Sequence, residues 1–112
     1  MPYELTRTAA MDLRGVYRQT ISTWGEDQAE RYIDLLYAAF ENLATAPWRD
    51  TSRNRRAAPF RMVAAREHFV IYDLIGDRVI VLAILHQAMD IERRIARLTP
   101  TFYEALAKTR EA

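Results

Sequence analysis

Two histidines are the side chains in this sequence best suited to acid–base chemistry. His86 ends an apolar run, and Asp90 follows four residues later, so a carboxylate could orient the imidazole as a general base. The simpler interpretation is that His86 closes the end of a strand and hydrogen-bonds to Asp90 or to the backbone. We favour this structural role, because no nucleophile and no converging set of cations accompanies the histidine.

His68 is the second histidine, and it opens the preceding apolar run. Its position favours a structural role or a contact with a partner. Two imidazoles on separate strands are too few ligands for a usual zinc site. The sequence has no cysteine, so thiolate ligands and disulfides are also excluded. We therefore predict neither a metal site nor a cofactor.

A cluster of arginines is the remaining candidate for chemistry. It begins within residues 53–56 and continues at Arg61 and Arg66. Guanidinium groups pair with carboxylates and phosphates, so both an acidic protein segment and nucleic acid fit such a surface, as does a solvated basic loop. A nucleic-acid surface usually adds exposed aromatic side chains. The nearby Trp48 and Phe60 are at least as compatible with a core.

Apolar periodicity predicts two helices after a short strand over residues 3–6. The first helix ends near Trp24, and the second is terminated by Pro47. Because few residues join them, we expect an antiparallel hairpin. Thr23 and Glu26 suit a capping box at the break, and Gly15 suggests close packing. The aromatic residues of both stripes are expected in the core: Tyr17, Trp24, Tyr32, Tyr37 and Phe40.

The second half predicts three strands, at about 60–65, 68–75 and 78–85. The dipeptide Gly76-Asp77 suits a two-residue primed turn, because glycine tolerates the positive φ that this turn requires. The last strand is apolar on both faces. We therefore place it in the middle of the sheet, with helices covering one side.

A short helix is expected over residues 91–98, with Pro100 as its end. A separate tail helix then carries Phe102, Tyr103 and Leu106, and we expect it to pack back onto the sheet. The predicted order is β-α-α-β-β-β with a C-terminal helix. This order gives an α+β fold in which an antiparallel sheet packs against the N-terminal helical hairpin.

Size and charge set further bounds. A chain of 112 residues that is 50% hydrophobic is expected to form one domain over residues 1–112. The longest apolar run, Val79 to Leu85, is far shorter than the roughly 20 residues needed to cross a bilayer, and we see no signal peptide. Residues 1–50 carry a net charge of −3 and residues 51–112 carry +4. A basic half suggests an acidic partner.

These elements and several residues within them resemble the ParE branch of the ParE/RelE toxin superfamily of bacterial toxin–antitoxin pairs. No single residue is specific, but their order and spacing are. They are Leu5-Thr6, Ala9-Ala10, Asp12-Leu13, Trp24-Gly25, Gln28-Ala29, Tyr32, Leu36, Leu43-Ala44, Pro47, Arg56, Pro59, Arg61, His68, Ile71-Tyr72, Ile84-Leu85-His86 and Met89-Asp90.

The resemblance implies a toxin held inactive by a ParD-like antitoxin, with which it forms a hetero-oligomer. It also implies that the free toxin inhibits DNA gyrase and so blocks replication in the cytoplasm. Such a toxin is not an enzyme, contacts no membrane and binds no specific DNA sequence alone.

An mRNA endoribonuclease of RelE type is the alternative that the superfamily offers. RelE-like members carry an arginine directly after an aromatic residue near the start of the penultimate strand, where this chain has Phe69. They carry another arginine at the end of the last strand, where this chain has Gln87, and a tyrosine shortly after it. Here no tyrosine follows until Tyr103. Because both arginines and the tyrosine that would serve as acid or base are missing, we favour an inhibitor that acts by binding over a ribonuclease.

We assign candidate contact residues on charge and position. The antitoxin-binding candidates are Arg55, Arg56, Arg61, Arg66, His68 and Arg78. The target-binding candidates are His86, Asp90, Arg93, Arg94, Phe102 and Tyr103. No residue is assigned a catalytic role.

Overall fold

The computed structural model of the protein describes residues 3–45 and 56–111. Its elements are β1 (Tyr3–Leu5), α1 (Arg7–Trp24), α2 (Glu26–Thr45), β2 (Arg61–Ala65), β3 (His68–Ile75), β4 (Arg78–His86) and α3 (Ile91–Glu111). The predicted α+β class and the order of elements are confirmed. No helix within the described ranges is long and apolar enough to cross a membrane.

The sheet is mixed, in the order β1-β4-β3-β2. β2, β3 and β4 are antiparallel neighbours, as predicted, whereas β1 pairs with β4 in parallel. The alternation of three residues in β1 reveals a strand but not its direction, and this is why the sequence suggested a wholly antiparallel sheet. β4 lies between β1 and β3, which explains why it is apolar on both faces.

Helices cover both faces of the sheet, so the prediction that they cover only one side was wrong. Val79 and Val81 of β4 pack in the cluster formed with α1 and α2. Ile80 and Leu82 point the other way and pack in the cluster formed with α3. The alternation along β4 therefore distributes its apolar side chains between two cores.

A β-bulge interrupts this alternation in the middle of the sheet. Ile71 pairs with Ala83, but Tyr72 pairs with Val81, so Leu82 is the extra residue of β4. Leu82 and Ala83 consequently both belong to the cluster beneath α3. Beyond the bulge, Ile84 returns to the hairpin side.

Gly25 alone makes the junction between α1 and α2. Its φ of 91° is accessible to glycine, and its N–H donates to the Ile21 carbonyl over 2.9 Å, which ends α1. Thr23 lies inside α1, where its hydroxyl donates to the Gln19 carbonyl over 3.0 Å. The predicted capping box at Thr23 was therefore wrong, because glycine makes the reversal in one residue.

The start of α1 completes the edge of β4 beyond the short β1. Thr6 is the N-cap of α1, and its hydroxyl accepts the Ala9 N–H and donates to the Leu82 carbonyl. The Asp12 carboxylate accepts the Ile84 N–H over 3.0 Å. Burial raises the pKa of the Asp12 carboxyl, and the Ile84 N–H opposes this rise.

α3 runs continuously through Pro100, so the predicted break into two helices was wrong. Ile91, Ile95, Phe102 and Leu106 are all buried, and they form one apolar stripe that spans the proline. Burial of this stripe offsets the backbone hydrogen bond that Pro100 removes. The expected packing of the tail on the sheet is confirmed.

Gly15 does not mark a close approach, contrary to our expectation. A Cβ built on Gly15 would meet no atom within 4 Å. We therefore expect Gly15→Ala to raise the free energy of unfolding by about 0.5–1 kcal/mol, because alanine loses less backbone entropy in a helix. Urea denaturation measures this change. Gly25→Ala, at a positive φ, is the contrasting variant and should be destabilising.

Candidate functional site

An open groove of about 780 Å³ lies between the helical hairpin and the end of the sheet. We call it the hairpin groove. Its walls come from α1, α2, the β2–β3 turn, the first residue of β3 and the last residue of β4. The lining residues are Val16, Gln19, Thr20, Thr23, Trp24, Gln28, Arg31, Tyr32, Leu35, Arg66, Glu67, His68 and His86.

Trp24 is the most exposed large apolar side chain among the described residues, at 72% exposure. The prediction that it lies in the core was wrong, and Tyr37, at 40%, is also exposed. Trp24 is the last residue of α1, where the apolar stripe extends beyond the sheet that it covers. An exposed tryptophan beside a groove is typical of a protein-binding surface.

His68 lies at the inner wall of the groove and is 8% exposed. Its Nδ1 is 2.6 Å from the Tyr32 hydroxyl of α2. His86 is its direct partner on β4, and the ring centroids lie 5.0 Å apart in edge-to-face contact. Burial lowers the pKa of His68, and the neighbouring His86 lowers it further. A neutral His68 is thus favoured.

Tyr32 connects α2 to the β2–β3 turn. Its hydroxyl oxygen accepts the Glu67 N–H over 3.1 Å in addition to its contact with His68. Burial raises the pKa of the Tyr32 phenol, and the Glu67 N–H opposes this rise. The hydroxyl therefore remains protonated and can donate one hydrogen bond while it accepts another.

The β2–β3 turn is held in an unusual conformation. Arg66 has a φ of 56°, in the left-handed region that non-glycine residues seldom occupy. Gln87, just after β4, holds this turn from the other side. Its side-chain amide donates to the Arg66 carbonyl over 2.6 Å, and its backbone N–H donates to the Glu67 carbonyl over 2.9 Å. The turn is thus fixed by contacts from two elements, which sustain the strained residue.

His86 and Asp90 do not form the orienting pair that the sequence suggested. The His86 Nδ1 accepts the Ala88 N–H over 3.0 Å, which matches the structural interpretation. Asp90 instead acts as the N-cap of α3, where its carboxylate accepts the Arg93 N–H over 3.2 Å. Its carboxylate also lies 3.8 Å from the Arg93 guanidinium.

The antitoxin-binding candidates are divided among several places. Arg66 and His68 line the hairpin groove. Arg56 lies over the Phe69 ring, 5.5 Å from its centroid, on another part of the surface. Arg61 lies 3.7 Å from the Asp73 carboxylate, and Arg78 pairs with Glu4. Arg55 falls outside the described residues.

The target-binding candidates lie mostly along α3. Arg93 and Arg94 are exposed in its first turns, and Tyr103 is 52% exposed farther along. Phe102 is only 1% exposed, so it belongs to the core and cannot serve as a surface contact. Tyr103 packs against Phe60 at a centroid distance of 5.3 Å, which leaves its other side to solvent.

Several residues that line the groove were not predicted to form a site. Gln28 and Arg31 of α2 look like ordinary solvated positions in a helix, and Gln19 of α1 does too. The signal that was available was Trp24, which lies next to a glycine at the predicted hairpin tip. Across residues 3–45 and 56–111, no three His, Asp or Glu side chains cluster to hold a metal ion.

The fold and groove together define a small α+β protein with an open groove beside its helical hairpin. The structure is similar to a solved chain of the chromosomal ParDE TA system from P. aeruginosa, with a TM-score of 0.68 and 18% sequence identity. That similarity covers 77% of this chain and 95% of the solved one. It supports the fold.

Sequence comparison identifies the family. Residues 3–91 match the family model described as ParE toxin of type II toxin-antitoxin system, parDE. The chain is 38% identical to Toxin ParE of Escherichia coli over 98 residues, which are 84% of this chain and 92% of that protein. It is 34% identical to Toxin ParE1 of Caulobacter vibrioides over 89 residues, or 80% and 92%. The chain belongs to the ParE toxin family.

Proposed function

We propose that this chain is the toxin of a type II toxin–antitoxin pair that inhibits DNA gyrase until a ParD-like antitoxin neutralises it. Membership of the ParE family, carried by the match over residues 3–91, is the observation on which this proposal depends. Inhibition of gyrase requires contact with a cytoplasmic enzyme. The chain would therefore act in the cytoplasm.

The hairpin groove is our proposed docking site for the antitoxin. It is about 780 Å³ in volume, and its apolar rim includes the exposed Trp24. Arg31 and Arg66 reach it from two different elements. An amphipathic helix could place apolar side chains against the rim and a carboxylate between the arginines. Of our antitoxin-binding candidates, Arg66 and His68 fit this site best.

The exposed surface of α3 is our proposed contact for gyrase. Arg93, Arg94 and Tyr103 are exposed on it, and α3 packs against the face of the sheet opposite the helical hairpin. A toxin with separate surfaces for its antitoxin and its target would be neutralised by steric blockage or by a change in shape.

An inhibitor that acts by binding fits the groove chemistry better than a ribonuclease does. The gathering of Tyr32, His68 and His86 favours a second candidate, because all three types serve as acids or bases in RNA cleavage. However, the histidine rings touch, at 5.0 Å between centroids, so a phosphate cannot lie between them. Phe69, half-buried beneath Arg56, also lies where RelE-like members carry a cation.

Purified chain is expected to inhibit supercoiling by purified gyrase and to trap cleaved DNA. The assay is a titration of the chain against gyrase and relaxed plasmid, with product topology read on a gel. The matched control is the chain mixed with the antitoxin of its own operon before gyrase is added, and this mixture should restore supercoiling.

A parallel reaction with messenger RNA, alone or on translating ribosomes, tests the ribonuclease candidate. Cleaved transcripts together with unaffected supercoiling would refute the gyrase proposal. In cells, filaments with DNA-damage signalling support gyrase inhibition. Rapid arrest of translation with codon-specific cuts in mRNA would instead support the ribonuclease.

A further inference from the structure

We propose that Tyr32, His68 and His86 form a pH-sensitive latch that joins α2 to the β2–β3 turn and sets the shape of the hairpin groove. All three side chains line that groove. Tyr32 lies 2.6 Å from His68, and His68 contacts His86 across neighbouring strands. The latch therefore connects the helical wall of the groove with its sheet wall.

The direction of the hydrogen bonds makes the latch sensitive to protonation. The Tyr32 hydroxyl oxygen accepts the Glu67 N–H, so its own hydrogen is directed toward the His68 Nδ1. Neutral His68 accepts that hydrogen at Nδ1. Once His68 carries a proton on both nitrogens, Nδ1 can only donate. Tyr32 must then turn its hydrogen elsewhere, and the His68 N–H competes with the Glu67 N–H for the Tyr32 oxygen.

Charge adds a second reason for the latch to open. A protonated His68 would carry its charge 5.0 Å from the His86 ring, a neighbour that already lowers the pKa of His68. The other charged or titratable groups that line this groove are Arg31, Tyr32, Arg66 and Glu67. Only Glu67 among them raises the pKa of His68, and its effect is smaller than those of burial and His86. The groove residues contributed by α1 carry no charge.

The sign of the pH effect follows from the lowered pKa of His68. The unfolded chain takes up a proton near the ordinary histidine value of 6.5, whereas the folded chain resists until lower pH. The contribution of neutral His68 to the stability of the fold is therefore fully present above pH 6.5. It is lost as the pH falls from 6.5 through the pKa of the folded state.

NMR titration of the intact chain tests the latch without any partner. The ring signals of His68 should report a pKa below 6.5, and the protection factor of the Glu67 amide should fall roughly fivefold to tenfold as His68 titrates. Tyr32→Phe should raise the pKa of His68 and remove this step in protection, because the phenol no longer stabilises the neutral ring.

Tyr37→Phe is the matched control, because Tyr37 lies on the same helix and is 40% exposed. It should leave the His68 titration unchanged. His86→Gln should raise the pKa of His68, because it removes a neighbour that lowers that pKa. A His68 pKa at or above 6.5 would overturn the latch. Constant Glu67 protection across the titration of His68 in the intact chain would do so as well.

A binding experiment extends the latch to regulation, and this step rests on the proposed function. The probe is the antitoxin of the chain's own operon, titrated by calorimetry between pH 7.5 and 5.5. The affinity for the antitoxin should fall as the pH falls, by about tenfold in total for each unit by which binding lowers the pKa of His68. Tyr32→Phe should make this affinity less dependent on pH. Equal pH dependence in both proteins refutes regulation by the latch. Absence of binding at every pH refutes the proposed function instead, and the NMR titration still decides the latch.

Discussion

Phe102→Ala is expected to lower the free energy of unfolding by about 3–5 kcal/mol, whereas Tyr103→Ala should cost less than about 1 kcal/mol. The two residues are adjacent on α3, yet Phe102 is 1% exposed and Tyr103 is 52% exposed. Phe102 also packs edge-to-face on Phe60, at 5.1 Å between centroids. Removal of its ring opens a cavity in the core under α3. Urea denaturation followed by circular dichroism measures both changes.

The contrast between these variants separates stability from target binding. Tyr103→Ala should remain folded at assay temperature, so any loss of gyrase inhibition by this variant reflects a lost contact. Tyr103→Phe is the matched control, because it keeps the ring against Phe60 and removes only the hydroxyl. Equal destabilisation by Phe102→Ala and Tyr103→Ala would contradict the position of α3 described above.

Local periodicity was enough to place most of the secondary structure. The predicted strands at 68–75 and 78–85 agree with β3 and β4 to within one residue. The primed turn is supported by the φ of 62° at Gly76. These features succeed because each depends on neighbouring residues: alternation within a strand, and a positive φ at one glycine.

Apart from the capping box at Thr23, most of the predictions that were wrong involve distant residues. Pro100 is a helix breaker by local rules, but the stripe from Ile91 to Leu106 buries apolar area on both sides of it. Leu82 and Ala83 give no sign of a bulge, since every residue around them is apolar. Trp24 continues the apolar stripe of α1, and it is exposed because the sheet does not extend far enough to cover it.

The candidate site was predicted only in part for the same reason. His68 and Arg66 were identified because histidine and arginine are conspicuous in an apolar context. Arg31 and Tyr32 were not, since their role depends on α2 meeting the β2–β3 turn across 35 residues of sequence. The sequence therefore indicates which side chains could take part in binding or in acid–base chemistry, and tertiary packing determines which of them lie together.

Arg31→Glu combined with Arg66→Glu is expected to weaken antitoxin binding by roughly 10–100-fold at about 0.1 M salt. Both arginines are exposed and both line the hairpin groove, on α2 and on the β2–β3 turn. Reversal of their charges would place carboxylates opposite the acidic side chain proposed for the antitoxin helix. Biolayer interferometry with immobilised antitoxin measures the effect. Because both arginines lie at the rim of the groove, most of the loss should be in the association rate.

The matched control is Arg97→Glu, an exposed reversal on α3, across the sheet from the groove. It changes the net charge in the same direction, yet it should leave antitoxin affinity within about twofold, because screening limits surface charges to roughly 10 Å at 0.1 M salt. The loss in the double variant should also shrink as salt is raised. Equal losses from Arg97→Glu and from the groove variant would show that the antitoxin responds to overall charge and docks elsewhere. A loss confined to the groove variant would place the acidic segment of the antitoxin between Arg31 and Arg66.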